Sequence, residues 1–159
     1  MSMGHVYVWE PVIDTNAYAD GDVLGTGNPY EITEFPKYAG AVQILQSALV
    51  RDKANQKMGI DLLFFSEAPT GTYTNNAAFA IDAADKARYI GRLSVVAGDY
   101  TTLAAAFAEA TIDGIGKALA KASSETSESL WMIAAIRGAG TYAVGDLSAR
   151  LTFITGDRR

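Results

Sequence analysis

The feature that most constrains this chain is a pair of apolar runs on either side of a short polar stretch. Ala41–Val50 is rich in β-formers and partly alternates, with Val42 and Ile44 pointing one way and Gln43 and Leu45 the other. Gly59–Phe65 is a second run, and Asp52–Lys57 between them is polar and turn-like. Two such runs around a short polar connection read as a β-hairpin with a longer loop.

The same pattern recurs along the chain. Val6 and Val8 alternate with Tyr7 and Trp9, and Tyr30–Phe35 is a short run that stops at Pro36. Arg92–Val96, Leu130–Ile136 and Ala149–Ile154 read as further strands, with Gly138, Gly140 and Gly145 punctuating the gap before the last. Helix is scarce. Asp82 is a good N-cap for Ala83–Tyr89, which the glycine at 91 then stops. Thr102–Glu109 has some helical spacing, but its flanks are poor helix sequence, so it is read as extended. These signals predict a single domain over 1–159, all-β, built as an antiparallel β-sandwich of jelly-roll-like form with at most one or two short helices. Two long loops stand out, Asp14–Asn28 and Ser66–Asn76, and loops of that length are functional or mobile. The Ser/Glu/Thr stretch at 123–129 reads as a solvated turn.

Composition narrows the chemistry. Apolar residues make up 49% and charged residues 19%, a balance that argues against disorder. The net charge of −5, with the only basic doublet at Arg158-Arg159, argues against a nucleic-acid partner. The absence of cysteine excludes disulfides and thiolate-bound zinc. No apolar run approaches a membrane span, and the N-terminus lacks the pattern of a signal peptide, so neither a membrane nor a secretory route is expected.

No catalytic constellation emerges. His5 is the sole histidine and sits in the lead-in to a strand, and the sequence contains no Gly-x-Ser-x-Gly nucleophile elbow. Gly25-Thr26-Gly27 lacks the third glycine of a dinucleotide fingerprint and reads as a turn. Asp14, Asp20 and Asp22 have oxygen ligands to offer calcium but not the spacing of a binding loop, and Asp and Gly are what turns are made of. Asp61, Asp99 and Asp113 could in principle supply a glycosidase pair, but they read as solvent-facing acids on half-exposed strands. The chain is therefore expected to be no enzyme, with no catalytic residues, no cofactor and no metal.

Four stretches carry a resemblance when taken together. They are Ala17–Val23; Leu45–Lys53 with Gln56 and Asp61–Phe64; Asn76–Asp85 with Gly91 and Val95; and Ser129–Trp131 through Arg137-Gly138 and Thr141-Tyr142 to Leu151–Phe153. In this order the chain resembles small proteins encoded beside the major capsid protein of tailed phages, including head decoration (cement) proteins. The resemblance implies a structural virion protein, made in the host cytoplasm and placed on the capsid exterior. Its partner would be the major capsid protein, and it would self-associate, with a trimer favoured. The alternative is a receptor- or carbohydrate-binding β-sandwich module of the tail, and a remote third reading is a glycosidase.

Interface candidates follow from aromatic and apolar residues near the N-terminus and in the loops: Val6, Tyr7, Val8, Trp9, Tyr18, Tyr30 and Tyr73. Val6–Trp9 is apolar on both faces. A strand with one wet face would alternate apolar with polar. This one is expected to be covered on both sides, within its own domain or between subunits.

Overall fold

The computed structural model describes residues 4–33, 35, 41–121 and 128–155. Met1–Met3 of the N-terminal segment, Glu34 and Pro36, most of the 123–129 turn and the Arg158-Arg159 doublet lie outside the described residues. Among the described residues ten strands form: β1 (Gly4–Trp9), β2 (Tyr30–Ile32), β3 (Val42–Asp52), β4 (Gly59–Phe65), β5 (Tyr89–Val95), β6 (Tyr100–Ala104), β7 (Phe107–Ile112), β8 (Lys117–Ala120), β9 (Leu130–Arg137) and β10 (Leu147–Thr155). One sheet runs β1-β10-β3-β7-β6, with β8 also on β3, and the other runs β2-β9-β4-β5. Every named ladder is antiparallel.

The pairing has a simple logic. β1 pairs β10, β2 pairs β9 and β3 pairs β8, while β4 and β5 pair with each other. The chain thus folds as one long double strand, closed at the β4–β5 end and wrapped into two facing sheets. That is the jelly-roll wrap, and the predicted all-β antiparallel sandwich is what forms. Inward residues of both sheets interlock in one core, among them Leu45, Val50, Leu151 and Phe153 from the first sheet and Ile60, Leu62, Phe64 and Met132 from the second.

The wrap overturns the hairpin expected between the two central runs. β3 and β4 lie in different sheets, so the connection between them is a crossover. Asp52 makes the corner. Its fully buried carboxylate accepts the Ala54 and Lys57 amides at 2.9 and 2.6 Å, and Asn55 and Lys57 take the left-handed conformation that the reversal needs.

Long β3 serves two partners in turn on one edge. Its register skips at Gln46, where a bulge keeps both Leu45 and Ala48 inward. Beyond this point β7 gives way to β8. The break spans 113–116, with Gly114 and Gly116 at positive φ, and the Ile115 amide bonds to the Gln46 carbonyl. Sequence analysis did not anticipate β8, although the extended reading of Thr102–Glu109 corresponds to the β6–β7 hairpin.

The predicted helix shrinks to one 3-10 turn, Ala83–Asp85, capped by Asp82, whose side chain accepts the Ala84 amide at 2.9 Å. It ends there because Asp85 is drawn inward, and Tyr89 already belongs to β5. A second 3-10 turn covers Ala97–Asp99.

The Asp52→Ala variant removes the acceptor of two backbone amides at the crossover and is expected to lose about 2 kcal/mol of stability. Urea unfolding monitored by Trp9 and Trp131 fluorescence measures it.

Candidate functional site

The two sheets differ in what covers their outer faces. β4 is buried along its whole length because its outward residues are roofed. Leu63 and Phe65 join Ile133, Ala135, Val23 and Tyr73 in a second cluster, with Phe79 and Ile81 packed against it. The roof is made by the two long loops. Val23 bridges to Ala135 on β9 and Asp22 bridges to Ala78, so the first loop lies along the β9 edge and the second lies beside it.

Asn75 pins one loop to the other. Its Oδ1 accepts the Tyr18 hydroxyl and the Gly25 amide, both at 2.7 Å, and its Nδ2 donates to Asp14 at 2.8 Å. Asp85 shapes the second loop. It is fully buried and accepts the Thr70 amide at 2.8 Å, the Gly71 amide at 2.9 Å and the Tyr73 hydroxyl at 2.7 Å, with the Arg88 guanidinium at 2.8 Å. Burial opposes the charge on Asp85, but those donors outweigh it and hold the carboxyl well below the usual range. Tyr73 is pushed up to about 12 by burial and by the carboxylate it donates to.

Asp61 and Asp99 are committed to structure, and Asp113 is exposed. Asp61 is buried, not solvent-facing as the sequence suggested, because side chains of the flanking strands β5 and β9 close over it. It is held by Ser94 at 2.6 Å, Arg137 at 2.7 Å and Arg92 at 3.4 Å. Asp99 precedes β6 and accepts the Val96 amide, while Asp113 follows β7; both belong to the opposite sheet, so no pair is formed with Asp61. In the first loop Asp14 accepts the Asn16 amide, Asp22 the Ala19 amide and Asp20 the Gly138 amide. The first two are local turn contacts, and the third ties the loop to the residue after β9. Among the described residues no group of three or more His, Asp or Glu side chains could hold a metal ion. His5 stacks on Phe153 at 5.3 Å. Gly25 sits at positive φ where a Cβ would press on Tyr30 and come within 2.8 Å of Pro11, so the Gly25-Thr26-Gly27 stretch is a close-packed turn.

The six-stranded sheet has no such roof among the described residues. Strand alternation and register put Val6, Val8, Arg150, Thr152, Ile44 and Leu49 on its outer face. Val6 and Val8 are 55% and 51% exposed. Among the described residues β1 is an edge strand, paired only with β10, and carries no charge or proline to blunt its free edge. At its end, where the chain turns off at Pro11, a cleft of about 310 Å³ opens between Glu10–Val12 and Val144–Ser148, with Lys53 on a third side.

The interface candidates separate accordingly. Val6 and Val8 lie on the open face. Trp9, Tyr18 and Tyr73 are core residues, 1%, 2% and 7% exposed, so their side chains are not offered to a partner. Tyr7 and Tyr30 are half-buried; Tyr7 faces the core, and Tyr30 packs edge-on against Trp9 and donates to the Thr26 carbonyl at 2.9 Å. Burial raises both phenols, Tyr7 further through Glu31. Sequence reading missed Val12, Val144, Glu10 and Lys53; the one available signal was a valine inside the turn Ala143–Asp146, where polar residues prevail. No protein-family model matches the chain, and no curated protein matches it.

Because Asp85 has a depressed folded-state pKa, its contribution to stability is present above the ordinary aspartate range, near pH 4, and is lost as pH falls toward the folded value. Asp85→Asn is expected to cost about 2 kcal/mol at neutral pH and to flatten the acid limb. Melting temperature against pH for both proteins measures this.

Proposed function

We propose that this chain is a structural protein of a tailed-phage particle that decorates and stabilises the head by binding the major capsid protein on the capsid exterior. The observation that carries the reading is the asymmetry of the sandwich. One sheet is closed by its own loops, and the other presents an unblunted edge strand with two outward valines. A strand of that kind accepts another chain by main-chain pairing, with side chains giving selectivity.

The commitment of Asp52, Asp61 and Asp85 to backbone and arginine partners supports a binding role over a catalytic one. Jelly rolls serve capsid and lectin domains alike, so the fold alone does not choose between them. The resemblance to proteins encoded beside capsid genes favours the head. A carbohydrate-binding module would present aromatic side chains from its loops, and the loop residues Tyr18 and Tyr73 are buried.

Removing β1 would strip Trp9 from the core, so the test uses point changes on its outward face. The V6K/V8K variant should fold, with a melting temperature close to the parent's, and fail to co-sediment with particles that lack the protein. Binding by this variant equal to the parent's would move the contact surface off β1.

A further inference from the structure

We propose that the cleft at the end of β1 is a twofold docking site for a second copy of this chain. The β1–β10 ladder ends at Trp9 opposite Ala149. Beyond it Pro11 and Leu147 are buried and form apolar wall, while Val12 is 58% exposed at the rim. Glu10 and Lys53 are both exposed on the same cleft, and among the described residues neither side chain is paired with an opposite charge.

Beside this hole stands a knob. Val144 is 71% exposed, more than any other large apolar side chain described. It occupies a tight turn in which the Asp146 amide donates to the Ala143 carbonyl at 3.1 Å, and the Asp146 carboxylate accepts the Ala143 amide at 2.7 Å. Gly145 supplies the positive φ, and the Lys53 amide ties the turn to the end of β3 through the Asp146 carbonyl at 2.8 Å. The valine is therefore held in place before any partner arrives, which lowers the ordering cost of binding.

A twofold contact uses one patch twice, so that patch must contain both halves of every interaction. This one does. It has a knob and a hole, and an unpaired acid and an unpaired base. Across the axis Val144 of each copy enters the cleft of the other, and Glu10 of each faces Lys53 of the other. Pro11, Val12 and Leu147 supply the apolar surface around which the contact closes, and the outward face of β1 is left outside it. The inference points to a dimer and not to the trimer suggested by the resemblance, because a cyclic trimer joins two different surfaces. It stands independently of the capsid reading and is measured on the purified chain alone.

Sedimentation equilibrium of the full chain tests it. The parent should sediment as a dimer. E10K and K53E each set like charges against one another and should weaken association by about tenfold or more, and V144D should do the same. The E10K/K53E double variant recreates both ion pairs in reversed sense and should recover the dimer. All three positions are exposed, and unchanged circular dichroism and melting temperature confirm the fold. A monomeric or trimeric parent, a dimer indifferent to E10K and V144D, or a double variant no tighter than the single ones would each overturn the proposal.

Discussion

The nested pairing of β1 with β10, β2 with β9 and β3 with β8 is the constraint on which the rest of the molecule depends. Each pair joins residues far apart in sequence, and the loop entropy spent on closing it is recovered only when both sheets are buried against each other. Neither sheet can be removed without exposing the apolar inner face of its partner. The wrap also fixes the crossovers: each time the chain leaves one sheet for the other it needs a corner, and the β3–β4 corner is made by a buried aspartate with two backbone donors.

The same wrap produces two unlike outer faces. The longest connections, before β2 and between β4 and β5, fall on the same side and roof the four-stranded sheet. Polar residues fix the roof: Asn75 joins the loops, and Asp85 spends its charge on two amides, a phenol and a guanidinium. A buried carboxylate with that many donors is stabilising where an unpaired one would be very costly. On the six-stranded side the turns are short, as with the two residues between β6 and β7, so nothing among the described residues reaches over the sheet.

Much of this fold was legible in the sequence because alternation survives wherever one face is wet. Val42 and Ile44 do point opposite to Gln43 and Leu45, and Leu151 and Phe153 share a face. Which strands pair was not legible locally, since a polar connection such as Asp52–Lys57 looks alike whether it closes a hairpin or crosses between sheets. β8 was missed because four residues with glycines on one side carry little periodic signal. The site was harder still. Tyr18 and Tyr73 sit in polar loop sequence and look available, yet the roof packs them inward, and Asp61 looks like a wet acid only if its strand is half-exposed. Val6 and Val8 were singled out for being apolar opposite Tyr7 and Trp9, and they are the candidates left on an open face.

The central claim is that partner chains meet the open sheet at β1 and not the loop side. Amide hydrogen exchange on the free chain and on the chain bound to particles compares the two faces in one experiment. Binding at β1 gives new protection along Gly4–Trp9 with exchange in the Asp14–Asn28 and Ser66–Asn76 loops unchanged. Protection gained in those loops while β1 exchanges as it does in the free chain would contradict it.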